Sequence, residues 1–195
     1  AVWNLVIGLI ISIYLLASKE RFVSQGKKLL YAFWDTRQAN VIMEDFRLID
    51  STFGGFISGK ILDSAIIGVL CFVVVSIMKM PYPMLISVIV GVTNIIPFFG
   101  PFIGAVPCAL LILMVNPMQC LYFIIFIWIL QQFDGNFLGP KILGDSTGLS
   151  GFWIIFSITI FSGLMGVPGM ILGVPIFAVF YALIKRYVNR SLQKK

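Results

Sequence analysis

Asn94-Ile95-Ile96-Pro97-Phe98-Phe99-Gly100-Pro101-Phe102-Ile103-Gly104-Ala105-Val106-Pro107 carries three prolines, two glycines and one amide inside an apolar run. Proline removes a backbone donor and clashes with the preceding turn, so one continuous helix is not expected here. If the run lies at bilayer depth, its freed backbone cannot face lipid and must be enclosed by protein or line a hydrated cavity. Broken helices of this kind build central sites in transporters. Asn94, Pro97, Gly100, Pro101, Gly104 and Pro107 are therefore candidate residues of a transport pathway or its gate.

The surroundings put this run in a membrane. Hydrophobic residues make up 59% of the chain and charged residues 11%, with a mean hydropathy of +1.03. A soluble domain carries roughly 25% charged residues. The expected fold class is an all-α polytopic membrane protein, a bundle of transmembrane helices with broken or re-entrant segments. The formal charge of +6 is concentrated at Lys19, Arg21, Lys27, Lys28 and Arg37, and again at Lys185, Arg186, Arg190, Lys194 and Lys195. Clusters of this kind mark cytoplasmic flanks and can touch anionic lipid, so the basic balance points to the lipid bilayer and not to nucleic acid. Cys71, Cys108 and Cys120 lie in apolar runs without metal-ligand spacing, and histidine is absent. They read as packing residues, with no metal site and no cofactor expected.

The chain starts inside an apolar span that ends at Ser18-Lys19-Glu20-Arg21, without an initiator methionine or a basic leader. This reads as an N-terminally truncated membrane protein. Residues 1–18 form a first transmembrane helix, and 19–60 a cytoplasmic or interfacial amphipathic region. In that region Ile42, Phe46, Ile49, Phe53 and Phe56 recur at helical spacing among Glu44, Asp45, Arg47 and Asp50. It reads as a connector, with a gating or ligand-binding role as the alternative. Residues 61–184 form the transmembrane transport bundle, broken near 97–107 and 163–175, and 185–195 a basic cytoplasmic tail. Six apolar runs separate the two basic flanks, an even number that returns the chain to one side. Treating 84–115 as a re-entrant hairpin keeps that parity.

A second constellation is Gln131-Gln132-Phe133-Asp134-Gly135-Asn136-Phe137-Leu138-Gly139-Pro140-Lys141, where polar groups follow a purely apolar helix. Acids and amides at membrane depth need partners or water. Gln131, Gln132, Asp134, Asn136, Pro140 and Lys141 are either pathway residues or the polar cap of a helix leaving the membrane. Pro140 and the glycines are expected to limit helical continuation. A third segment, Gly163 to Pro175, supplies candidate broken-helix hinges at Gly163, Gly166, Pro168, Gly169, Gly173 and Pro175. Gly100 to Pro107 and Gly169 to Pro175 both read GxxxG followed by Val-Pro. This is either an internal repeat or the common glycine device of close helix packing.

Gly54 to Lys60 matches GxxxxGK, but Ile61 stands where a phosphate loop needs a hydroxyl, which argues against a nucleotide site. Asn189-Arg190-Ser191 matches a glycosylation triplet inside the basic tail, where it should be unmodified. An intramembrane enzyme is not expected either. No nucleophile and base pair stands out, and Asp63 and Asp134 occur in no recognised protease context.

The segments NIIPFFGPFIGAVP (94–107), QQFDGNFLGPKILG (131–144) and Gly163 to Pro175, in this order and spacing, resemble the AI-2E family of bacterial membrane proteins. The opening run ending Tyr14 to Phe22 and the segment Gly59-Lys60-Ile61-Leu62 extend the resemblance over nearly the whole chain. It implies a multi-pass bacterial inner-membrane protein with further N-terminal helices. It also implies export of a small polar solute resembling the autoinducer-2 quorum-sensing signal, or else sodium(lithium)/proton antiport. Amides at Asn94, Gln131, Gln132 and Asn136 suit a neutral polyol, while Asp134 with freed carbonyls near Pro97 or Pro168 suits a coupling cation. A channel or scaffold subunit, and a homo-oligomer, stay open.

Overall fold

Among the described residues the long apolar runs fold as helix, for lack of any period-two pattern that a strand would need. The computed structural model describes residues 2–143 and 148–192. Among them the elements are α1 (Val2–Ala17), α2 (Lys19–Phe33), α3 (Thr36–Ile77), α4 (Pro83–Thr93), α5 (Gly100–Val115), α6 (Pro117–Phe133), a π turn (Asp134–Leu138), α7 (Gly139–Leu143), α8 (Gly151–Met165) and α9 (Val167–Leu192). The chain is an all-α polytopic membrane protein. Residues 144–147, in the loop after α6, and 193–195 of the basic tail lie outside the described residues.

The chain divides into two compact units between Leu48 and Ile49. In the first, α2 follows α1 almost without interruption, with Phe22 N–H donating to Ser18 C=O at 3.2 Å. Its side chains are not buried. Extended backbone at Trp34 ends α2, and Tyr31 Oη donates to Asn40 Oδ1 at 2.7 Å to hold the start of α3.

Helix α3 joins the amphipathic stretch and the apolar run after Lys60 into one element of 42 residues. Gly54 and Gly55 do not interrupt it, because a glycine costs a helix only about 1 kcal/mol and α3 contains no proline. By length and composition, Thr36–Ile77, Pro117–Leu138 and Val167–Arg190 can cross a membrane. Helix α4, with 11 residues, rises about 16 Å against a hydrocarbon core of roughly 30 Å.

In the second unit one core cluster gathers Ile67, Cys71 and Val75 of α3, Ile86 and Val90 of α4, Cys108 and Ile112 of α5, and Phe123 and Ile127 of α6. The cysteines are buried packing residues, with Cys120 Sγ 3.3 Å from Ala109 C=O. A smaller cluster joins Phe56 of α3 to Ile158 of α8 and Val174 of α9.

The breaks are narrower than the proline and glycine pattern led one to expect. Helix α4 stops at Thr93, residues 94–99 turn, and α5 then runs from Gly100 through Pro101 and Pro107. Pro101 stands in the first turn of α5, where a missing N–H costs nothing. Within the turn, Ile96 N–H donates to Thr93 C=O and Gly100 N–H to Ile96 C=O, so local bonds satisfy the freed backbone. Only Gly166, at φ +64°, separates α8 from α9, and Pro168 again falls in a first turn. Pro175 lies inside α9. Pro140 does not end the helix as expected. The chain passes from α6 through the π turn into α7, where Gly139 N–H reaches Asp134 C=O. The widened turn shifts the bonding register just before a residue that has no N–H to offer.

Candidate functional site

Lys60 and Asp63 stand three residues apart on α3, on the face turned into the bundle of the second unit. Lys60 Nζ lies 2.6 Å from Asp63 Oδ2, and Asp63 is fully buried. Across from them α4 ends at Asn94, which is 1% exposed and donates from Nδ2 to the same Asp63 oxygen at 3.2 Å. The π turn brings in Asp134, 9% exposed, whose carboxyl meets that of Asp63 and is faced by Lys60 and Asn94. Two acids, one base and one amide thus converge from three separate stretches of chain.

These groups line a cavity of about 540 Å³. The turn after α4 contributes Pro97 and Phe98, α5 contributes Pro101 and Phe102, and α6 contributes Gln131. Phe56, Ile154 and Val174 close it with apolar surface, and Leu149 lies at its margin. Three polar atoms on this wall have no hydrogen-bond partner: Asp63 Oδ1, Asp134 Oδ1 and Gln131 Nε2. Buried polar atoms are normally satisfied, so such a group facing a cavity marks a place for a ligand, water or proton. A second, larger groove of about 610 Å³ lies between α3 and α4, where Gly68 and Gly91 let the two helices approach. Its lining holds no charged side chain, whereas the smaller cavity is lined by Lys60, Asp63 and Asp134.

The expected site residues divide. Asn94, Pro97, Pro101, Gln131 and Asp134 line the cavity together. Gly100 and Gly104 are buried against Thr93 and serve the packing of α5 on α4. Pro107 and Lys141 are exposed. Gln132 and Asn136 are exposed too, and bond each other, Asn136 Nδ2 donating to Gln132 C=O at 2.8 Å. Pro140 shares the helical backbone of α7. Gly163, Gly166 and Pro168 are exposed, whereas Gly169 and Gly173 are buried against Phe161 of α8 and Pro175 is buried inside α9.

A family model described as AI-2E family transporter matches residues 1–189. The chain belongs to the AI-2E transporter family. It is 32% identical over 176 residues to a Bacillus subtilis protein named "Putative transport protein YueF", a match covering 90% of this chain and 47% of that protein. It is 37% identical over 143 residues to "Putative transport protein YrrI" of the same organism, covering 73% of this chain and 40% of the relative. In Escherichia coli K12, "Putative transport protein YhhT" is 27% identical over 125 residues, 64% of this chain and 36% of the relative. The chain spans about half the length, or less, of these relatives. No solved structure matches it.

For an AI-2E family chain read from sequence, Lys60 and Asp63 were the residues missed. Gly54 to Lys60 draws attention as a false phosphate loop, and Lys60 looks like the last charge before an apolar run. The usable signal was the pair itself. Opposite charges three residues apart where an apolar helix begins share one helix face, and an ionisable residue inside a transmembrane segment is a functional candidate by default.

Proposed function

We propose that this AI-2E family chain contains the solute pathway of a secondary transporter, and that a small polar solute occupies the cavity walled by Lys60, Asp63, Asn94, Gln131 and Asp134. One observation carries the reading: a charged, incompletely satisfied wall inside an apolar helix bundle, beside backbone that leaves helical geometry at 94–99 and at the π turn. Burying two carboxylates and an ammonium costs several kcal/mol per ion unless they are well paired, so a bundle needing only stability is better served by apolar residues. The mixture of free acceptors and one amide donor suits a hydroxyl-rich solute, for which the family description suggests an autoinducer-2-like signal. The two facing acids favour a second reading, exchange of a cation such as sodium or lithium for a proton.

The natural setting is the bacterial inner membrane, with the basic residues of α2 and of the C-terminal tail in the cytoplasm. Flux into proteoliposomes of the full-length protein tests the function, with labelled autoinducer-2 in one arm and sodium in the other. Gln131→Ala is expected to lower flux of the true solute at least tenfold while Gln132→Ala leaves it unchanged. Equal flux in both variants would remove the cavity from the pathway. Cysteines introduced near Lys27 and near Lys194 should label from the same side of the membrane, and labelling from opposite sides would overturn the orientation.

A further inference from the structure

We infer that Asp63 and Asp134 hold one exchangeable proton between their carboxyl groups, with Lys60 as the fixed counter-charge, making the pair a proton-binding site. Its place in a transport cycle rests on the reading of the cavity given above; the binding itself rests on the geometry alone.

The charges do not balance without it. Lys60 Nζ is committed to Asp63 Oδ2 at 2.6 Å, and Asn94 Nδ2 donates to that same oxygen. The described groups facing the pair are few. Helix α3 presents Lys60, the end of α4 presents neutral Asn94, α6 presents Gln131, and α8 and α9 present Ile154 and Val174. One cation therefore faces two acids, and an excess carboxylate beside an apolar wall is costly. Two carboxyl groups in contact under these conditions resolve the conflict by sharing a proton.

Hydrogen bonding gives the same answer independently. Asp63 and Asp134 meet through their carboxyl groups, yet each keeps an Oδ1 atom without a partner. Two carboxylates are acceptors only and cannot bond to each other. A single proton converts one of them into a donor, and the pair into an O–H···O contact. A metal cation fits less well. A hard cation takes about six oxygen ligands. Here Asp63 Oδ2 is already occupied by Lys60 and Asn94, and no group of three or more acidic or other metal-ligating side chains gathers among the described residues. On loading, one O–H bond forms with a proton from the side to which the cavity opens; on release that bond breaks, leaving a net negative charge on the pair.

Infrared difference spectroscopy of the full-length protein in lipid nanodiscs, comparing H2O with D2O, reads the protonated carboxyl through its C=O stretch. The expected result is one such carboxyl per chain in mildly acidic medium. Asp63→Asn and Asp134→Asn should each abolish the band, because either leaves one acid facing one lysine. Lys60→Met should double it, since neutrality then takes two protons, and this variant serves if an Asn variant fails to fold. Absence of the band in the unmodified protein, or its survival in Asp134→Asn, would overturn the proposal. Flux driven by a pH gradient, measured on the same preparations, separates the two readings. A band without flux upholds the proton site and sinks the transport cycle, whereas flux without a band does the reverse.

Discussion

The α4–α5 and α8–α9 hairpins use one packing device and present different chemistry at their turns. In each, a GxxxG pair opens the second helix: Gly100 and Gly104 in α5, Gly169 and Gly173 in α9. A Cβ on Gly100 would collide with the Thr93 carbonyl oxygen, and one on Gly169 with the Phe161 carbonyl oxygen. One turn further along, Gly104 lies against the Thr93 side chain and Gly173 against the Phe161 ring. The sequence echo thus reports the same close helix approach made twice. The turns then diverge. The first spans residues 94–99 and delivers Asn94 to Asp63, whereas the second is a single exposed glycine, Gly166, and its hairpin offers the cavity only Ile154 and Val174. Close packing is what the two hairpins share, and polarity at the turn is what separates them.

The strongest way to break this comparison is to attack the shared device. Gly100→Ala and Gly169→Ala should each destabilise the detergent-solubilised protein by about 3 kcal/mol or more, the upper end of overpacking costs, because the colliding atom is backbone and cannot turn away. Thermal melts would read the loss, and a large drop in one hairpin only would mean the two contacts are not equivalent.

Removing the difference between the turns is the next largest effect. Asn94→Leu makes the first turn as apolar as the second and strips Asp63 of a donor, at a cost of about 1.5–3 kcal/mol for a hydrogen bond to a charged group. Flux should fall at least tenfold. A variant that melts lower yet transports normally would make Asn94 a structural residue alone.

A smaller effect sharpens the account of the second hairpin. Gly163 sits inside α8, and a Cβ added there would meet no other atom within 4 Å. Gly163→Ala should therefore raise stability by up to about 1 kcal/mol, through helix propensity, and leave flux unchanged. Loss of flux with gain of stability would show that α8 bends there during transport.

Smallest in stability is the contrast within the polar segment after α6. Gln131→Ala and Gln132→Ala should both stay within about 0.5 kcal/mol of the parent, so the flux difference expected between them reports position and not folding. The segment that reads as one polar cluster is split by the turn of the helix, Gln131 and Asp134 facing the cavity while Gln132 and Asn136 face away.

The sequence by itself determined the membrane class, the helical content, the approximate place of each apolar helix, and Asn94 and Asp134 as candidates, because hydropathy, period and proline content act over a few consecutive residues. It overestimated the breaks, since Pro101 and Pro168 are harmless in a first turn and Pro140 follows a π turn, and both facts depend on where a helix starts. Only the tertiary structure decided that Lys60 and Asp63 share a cavity with Asn94 and Asp134. Asp63 is 31 residues from Asn94 and still farther from Asp134, and no local pattern links them. What brings them together is the packing of α3 against the ends of α4 and α6, where removal from water turns polar groups from three separate stretches of chain into one interdependent set.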